Sequence, residues 1–104
     1  MTDFRSARDR LEAIPSVRLG YLPTPIDDLT RLREAIGMGG RLLAKRDDAL
    51  SFGFGGNKVR KLALVAARAV ADGADTLITC GGVQSNHCRA TAAAAARLGL
   101  ACHI

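Results

Sequence analysis

Thr76-Leu77-Ile78-Thr79-Cys80-Gly81-Gly82-Val83-Gln84-Ser85-Asn86-His87 is the stretch on which the fold turns. Its first five residues form an apolar run with β-branched members, which reads as a buried strand. Gly81-Gly82 breaks that run. Ser85 or Asn86 can then cap an alanine-rich helix that continues to about Leu98 and stops at Gly99. Beyond the stop, Leu100 to Ile104 again has the character of a strand. Working backwards from Thr76, Asn57 is a suitable N-cap for a helix to about Asp72. Val59, Leu62, Ala63, Ala66 and Val70 lie at helical spacing on it, and Gly73 sits just past its end. Strands alternating with helices at this spacing predict right-handed crossovers over a parallel sheet, so the fold class is α/β.

The first half of the chain is less regular. Asp3 to Ile14, with Phe4, Leu11 and Ile14 along one side, reads as an amphipathic helix ended by Pro15. Thr24, Pro25 and Asp27 have the pattern of an N-cap, a first-turn proline and a capping acid, predicting a helix up to Gly37 with Ile26, Leu29, Leu32 and Ile36 along one face. Arg41 to Arg46 reads as a short strand, and Ala49 to Gly56 as a flexible loop. The sequence ends inside a strand pattern with no helix to close it, and a parallel sheet needs cover on both faces. The expectation is one incomplete α/β unit over residues 1–104.

Composition removes several classes of function. The net charge of +5 comes from 12 Arg and 3 Lys scattered among 10 acids. Only Lys58, Arg60 and Lys61 cluster, and the four aromatics do not interleave with a basic stripe, so nucleic acid is not the expected partner. The charged first fourteen residues leave no apolar signal region, and no run has the length of a membrane span, which predicts a cytoplasmic protein without membrane contact. Cys80, Cys88 and Cys102 form an odd set without metal-ligand spacing and read as small, buried, reduced side chains rather than a disulfide framework or a zinc site.

Two glycine-rich turns could carry chemistry. Gly53-Phe54-Gly55-Gly56-Asn57-Lys58 delivers a lysine to a helix start. There the helix dipole, with Arg60 and Lys61 close by, disfavours a further ammonium, and such lysines form Schiff bases. Read alone, the loop suits a solvated helix-start lysine better. It is not a phosphate loop of the Walker type, because Asn57 and Val59 stand where glycine and a hydroxyl residue are required. The second turn, Cys80 to His87, leads from a strand end into a helix start, so its backbone N–H groups can bind a carboxylate or phosphate. The plainer reading makes Ser85 and Asn86 caps and His87 a surface residue. A serine hydrolase is not indicated, because Ser85 lies between Gln84 and Asn86 rather than in a nucleophile elbow.

Four segments taken together carry a resemblance: Leu22-Pro23-Thr24-Pro25, Lys45-Arg46-Asp47-Asp48, Gly55-Gly56-Asn57-Lys58-Val59-Arg60-Lys61-Leu62, and Gln84-Ser85-Asn86-His87. In this order they resemble the D-cysteine desulfhydrase and aminocyclopropane-carboxylate deaminase family of pyridoxal-phosphate (PLP) enzymes, from about Val17 onwards. The resemblance implies a fold of the tryptophan-synthase β-subunit kind (fold type II), a three-layer parallel-sheet α/β architecture with PLP between two domains. About 1–58 would begin the large domain and about 59–104 the small one. Lys58 matches the lysine that holds PLP covalently and later moves the substrate proton. Asn57 and Asn86 would contact the cofactor, Asn86 at its phenolic oxygen. Ser85, Asn86 and His87 would hold the carboxylate of a small amino-acid substrate, with Ser85 also among the catalytic residues.

The implied reaction is a lyase or deaminase reaction. The Gln84 to Arg89 segment leans toward desulfhydrases, whereas Ser51-Phe52-Gly53-Phe54 and Gly81-Gly82 lean toward deaminases. A homodimer is implied for a full-length enzyme. In this family the phosphate cradle and the partner of the pyridine nitrogen lie further along than Ile104, so the chain by itself is expected to be weakly active. The reading from another class is a non-catalytic remnant that binds a partner chain through its open sheet edge.

Overall fold

The computed structural model describes residues 3–104. Helix α1 (Phe4–Glu12) forms as expected, with the Asp3 carboxylate accepting from the Arg5 N–H at 3.0 Å, but none of its residues is buried. The next segment departs from the sequence reading. Thr24-Pro25 does not start a helix; Ile26–Asp28 is strand β1, and helix α2 (Thr30–Ala35) begins only afterwards. Strand β1 pairs antiparallel with β2 (Leu43–Lys45), Ile26 opposite Lys45 and Asp28 opposite Leu43. The physical reason is tertiary: Thr24 is buried and its hydroxyl accepts from Arg60, while the Pro25 carbonyl accepts from the Arg46 N–H at 3.0 Å. These partners take the place of a capped helix start.

The Ala49–Gly56 loop is more ordered than its composition predicts: it leaves a 3₁₀ turn at Asp47–Ala49 and holds a second at Phe52–Phe54. Helix α3 (Lys58–Ala71) follows and buries Val59, Leu62 and Ala66. Strand β3 (Thr76–Ile78), helix α4 (Asn86–Leu98) and strand β4 (Ala101–His103) then form a β-α-β unit. Its strands run parallel, Thr76 opposite Ala101 and Ile78 opposite His103. Gly99 ends α4 in the left-handed conformation. The predicted parallel sheet is therefore present as one pair of strands, and β2 belongs to a separate antiparallel pair. Strand β3 is also less buried than its apolar run suggests: Ile78 is 79% exposed, because among the described elements only α4 packs against the strand pair.

The core lies between α3 and α4. Leu19, Leu50, Val59, Leu62, Ala90 and Ala94 form one buried cluster, with Val17, Phe52 and Ala63 packed against it. Alanine at 90 and 94 keeps the α4 face flat, so the larger side chains of α3 can seat on it. The radius of gyration is 17.0 Å, whereas a self-contained domain of this length has about 13 Å. The excess fits an incomplete α/β unit. No helix among the described residues is long and apolar enough to cross a membrane.

The core assignment predicts a contrast on α3. Leu62→Ala should cost about 3 kcal/mol, and Val65→Ala, three residues on but 59% exposed, less than about 0.5 kcal/mol. Urea unfolding of the two variants measures both, and equal losses would contradict the packing described.

Candidate active site

The loop leading into α3 is held in an uncommon backbone conformation. Gly53, Phe54, Gly55 and Gly56 all have positive φ, at 57°, 64°, 78° and 101°. Gly55 is required for space as well as conformation, because a Cβ there would lie 2.6 Å from the Asp48 carbonyl oxygen. Phe54 is the non-glycine member, and its ring is 90% exposed. The Gly56 N–H donates to the Asp47 carbonyl at 2.9 Å, which folds the loop back over the 3₁₀ turn at Asp47 and aims the chain into α3.

Lys58 is the first residue of α3 and is half-buried, beside the buried Val59. Asn57 occupies the N-cap position but has helical φ and ψ and makes no capping hydrogen bond, so the expected cap is absent and its exposed side chain is uncommitted. Arg60, expected to add its charge beside Lys58, is instead turned toward Asp47, where Nη2 and Nε both donate to Oδ1 (2.6 and 2.9 Å), and it donates to the Thr24 hydroxyl at 3.1 Å. Among the described residues the ion pairs are all made by arginines, and none falls on Lys58.

The start of α4 is built as its sequence predicts. Ser85 is extended, and its hydroxyl accepts from the Cys88 N–H at 3.3 Å. Gly81 lies directly on this first turn: a Cβ there would stand 2.7 Å from Cys88 Sγ and 2.9 Å from Ser85 Oγ. Ser85, Asn86 and His87 are each half-buried, and His87 Nδ1 is buried with no hydrogen-bond partner among the described residues.

The two turns meet. Asn86 Nδ2 comes within 3.1 Å of where a Gly56 Cβ would be, two residues before Lys58. Arg89, on the next turn of α4, donates to the carbonyls of Gly53 at 2.9 Å and Gly55 at 3.4 Å, and its guanidinium lies 5.9 Å from the Phe54 ring. Lys58, Ser85, Asn86 and His87 thus belong to two adjoining helix starts. Sequence reasoning assigned no role to Arg89 or Asp47 and read Thr24 only as a helix cap. An arginine after a predicted cap and an acid in the Lys45-Arg46-Asp47-Asp48 motif were the only signals available.

A cleft of about 420 Å³ lined by Arg18, Leu19, Gly20, Tyr21, Ser51, Phe52 and Arg97 is separate, sharing no lining residue with this site. The cysteines are free; Cys88 is buried and Cys102 half-buried, but Cys80, expected to be buried, is exposed because β3 ends at Ile78 before it, and no group of three metal-ligating side chains occurs among the described residues.

Residues 17–104 match the family described as pyridoxal-phosphate dependent enzyme, and the chain belongs to it. Among its relatives, a D-cysteine desulfhydrase from Klebsiella pneumoniae subsp. pneumoniae is 50% identical over 92 residues, 88% of this chain and 27% of that enzyme. A 1-aminocyclopropane-1-carboxylate deaminase from Allorhizobium ampelinum is 48% identical over 95 residues, 90% of this chain and 28% of that enzyme. A crystal structure of an ACC deaminase homologue superimposes with a TM-score of 0.81 at 42% identity, over 88% of this chain and 28% of the other. The chain therefore has the fold of these PLP enzymes and spans about a quarter of the length of the relatives it matches. The residues present fit the reactive end of PLP: a lysine without an ion-pair partner, an amide donor held against Gly56 beside it, and helix-start N–H groups next to both.

The electrostatics of the loop predict an acid response. The hydrogen bond from Arg60 holds the Asp47 carboxyl below the usual carboxylate range, and Arg46 does the same for Asp48. A carboxyl whose pKa is lower folded than unfolded contributes stability above the unfolded value, about 3.9 for aspartate, and loses it as pH falls through the folded value. The melting temperature should therefore fall on acidification below about pH 4. Arg60→Gln should flatten the part of that fall due to Asp47, and parallel wild-type and variant curves would count against the pairing.

Proposed function

We propose that this chain provides the lysine and the substrate-carboxylate site of a PLP-dependent lyase or deaminase acting on a small amino acid. The reading favoured is desulfhydration in the manner of D-cysteine desulfhydrase, in which D-cysteine and water give sulfide, ammonia and pyruvate. The observation that carries it is the meeting of the Lys58 and Ser85–His87 helix starts through Gly56, Asn86 and Arg89. Deamination of 1-aminocyclopropane-1-carboxylate is the second reading, supported by the 48% identity to an enzyme of that name.

In this proposal Lys58 holds PLP covalently and, once freed by the substrate amine, carries the proton at its Nζ. Asn86 donates to the ring oxygen beside the linkage, with Asn57 at the cofactor's edge. Ser85 and the N–H groups of the first α4 turn bind the substrate carboxylate, a role that suits a helix N-terminus. His87 lies beside them, with Nδ1 buried and unpartnered among the described residues. When bound, PLP supplies a ring that accepts the electron pair left as the substrate's α-proton departs. Residues about 1–58 begin the larger domain of such an enzyme and about 59–104 the smaller. Three free thiols favour a reducing, cytoplasmic setting, and the enzyme would act as a homodimer. Alone, the chain turns over weakly.

The test is to incubate the chain with PLP, reduce with borohydride and map the modified peptide. Lys45 Nζ already donates to the Thr24 carbonyl at 2.6 Å, so Lys61 is the meaningful competitor. Label concentrated on Lys58, and lost in Lys58→Ala, is the expected result; equal label on Lys58 and Lys61 would sink the assignment.

A further inference from the structure

We infer that Asp47 and Arg60 are positioning residues for Lys58, gripping the first turn of α3 on either side of it; this rests on the reading of Lys58 as the PLP lysine. The backbone carbonyl of Asp47 accepts from the Gly56 N–H at 2.9 Å, two residues before Lys58. The carboxylate of the same residue takes both Nε and Nη2 of Arg60, two residues after it. One residue thus brackets the lysine from below and above.

Residues 58 and 60 are about 200° apart around a helix, so Arg60 leaves α3 on the side away from Lys58. A tether there fixes the rotation and height of the first turn without occupying the space near the amine. That tether is anchored. Arg60 Nη2 also donates to Thr24 Oγ1 at 3.1 Å, Thr24 is buried, and its carbonyl accepts from Lys45 Nζ. Asp47 stands on a 3₁₀ turn whose neighbour Arg46 is itself paired to Asp27 and Asp48. Among the described residues the other side-chain hold on this segment is Arg89, which reaches the carbonyls of Gly53 and Gly55 but not the helix itself; Asn57 gives no cap, and the loop before it runs through four positive-φ residues. Such a segment keeps one conformation only when its surroundings enforce it.

Borohydride labelling with PLP tests the inference through the partition of label between Lys58 and Lys61 within one molecule, together with hydrogen exchange at the amides of residues 56–59. Arg60→Gln and Asp47→Asn should each lower the Lys58 to Lys61 ratio by about threefold to tenfold, the factor of one charge-assisted hydrogen bond reduced for partial exposure, and speed exchange in the segment. Arg60→Lys should recover part of the ratio, since an ammonium can keep one of the bonds. Leu62→Ala, which weakens the core without touching the clamp, should keep the wild-type ratio under folding conditions. If the two charge variants fail to fold, Thr24→Val, which removes only the Arg60 to Thr24 bond, should show the smaller shift in the same direction.

Wild-type ratio and exchange in the clamp variants, with wild-type label on Lys58, would overturn the clamp and leave the proposed function standing. A shift in Leu62→Ala as large as in Arg60→Gln would also overturn it, showing general stability at work. Equal label on Lys58 and Lys61 in the wild type would overturn the proposed function, and this inference with it.

Discussion

Everything at the candidate site depends on how closely α3 and α4 pack. Val59, Leu62 and Ala66 on one helix and Ala90 and Ala94 on the other are almost fully excluded from water. Small residues at 90 and 94 let the two helices lie against each other without gaps. The same contact sets their starts side by side, so Asn86 reaches Gly56 and Arg89 reaches the carbonyls of Gly53 and Gly55. A larger residue on the alanine face would push the helices apart and would open the site before it unfolded the chain.

The same dependence explains what could be read from sequence and what could not. Helices α3 and α4 and the strand after each are local constructions, marked by spacing, caps and glycine stops, and they stand within a residue or two of where the sequence puts them. The Thr24-Pro25 segment carries equally good local signals for a helix, yet becomes a strand. Its hydroxyl is claimed by Arg60, 36 residues away, and its register by Lys45. Local propensity loses where distant partners satisfy the backbone better.

The site divides along the same line. The two helix starts that carry Lys58, Ser85, Asn86 and His87 were legible because glycine-rich turns before helices are sequence-local signals, whereas the roles proposed for these residues came only with the family resemblance. Ser85 caps as predicted, whereas Asn57 does not, because the turn from Gly56 enters the helix with residue 57 already helical. Arg89 and Asp47 act on partners 34 to 36 and 13 residues away, and no periodicity announces such pairs.

The parallel pair β3 and β4 poses a separate physical requirement. Helix α4 connects the strands and packs against them, but Ile78 and Ile104 remain largely exposed. Parallel strands are found almost only where both faces are covered. A two-stranded piece has little independent stability in water, so α4 must be held chiefly by α3. The α3–α4 core therefore serves two purposes: it is the main source of order in the β-α-β unit, and it aligns the two helix starts. Since the ends of β3 and α4 supply Gly81 and Ser85, covering the exposed strand face would stiffen the α4 half of the site, while the Lys58 half is already held through Asp47 and Arg60.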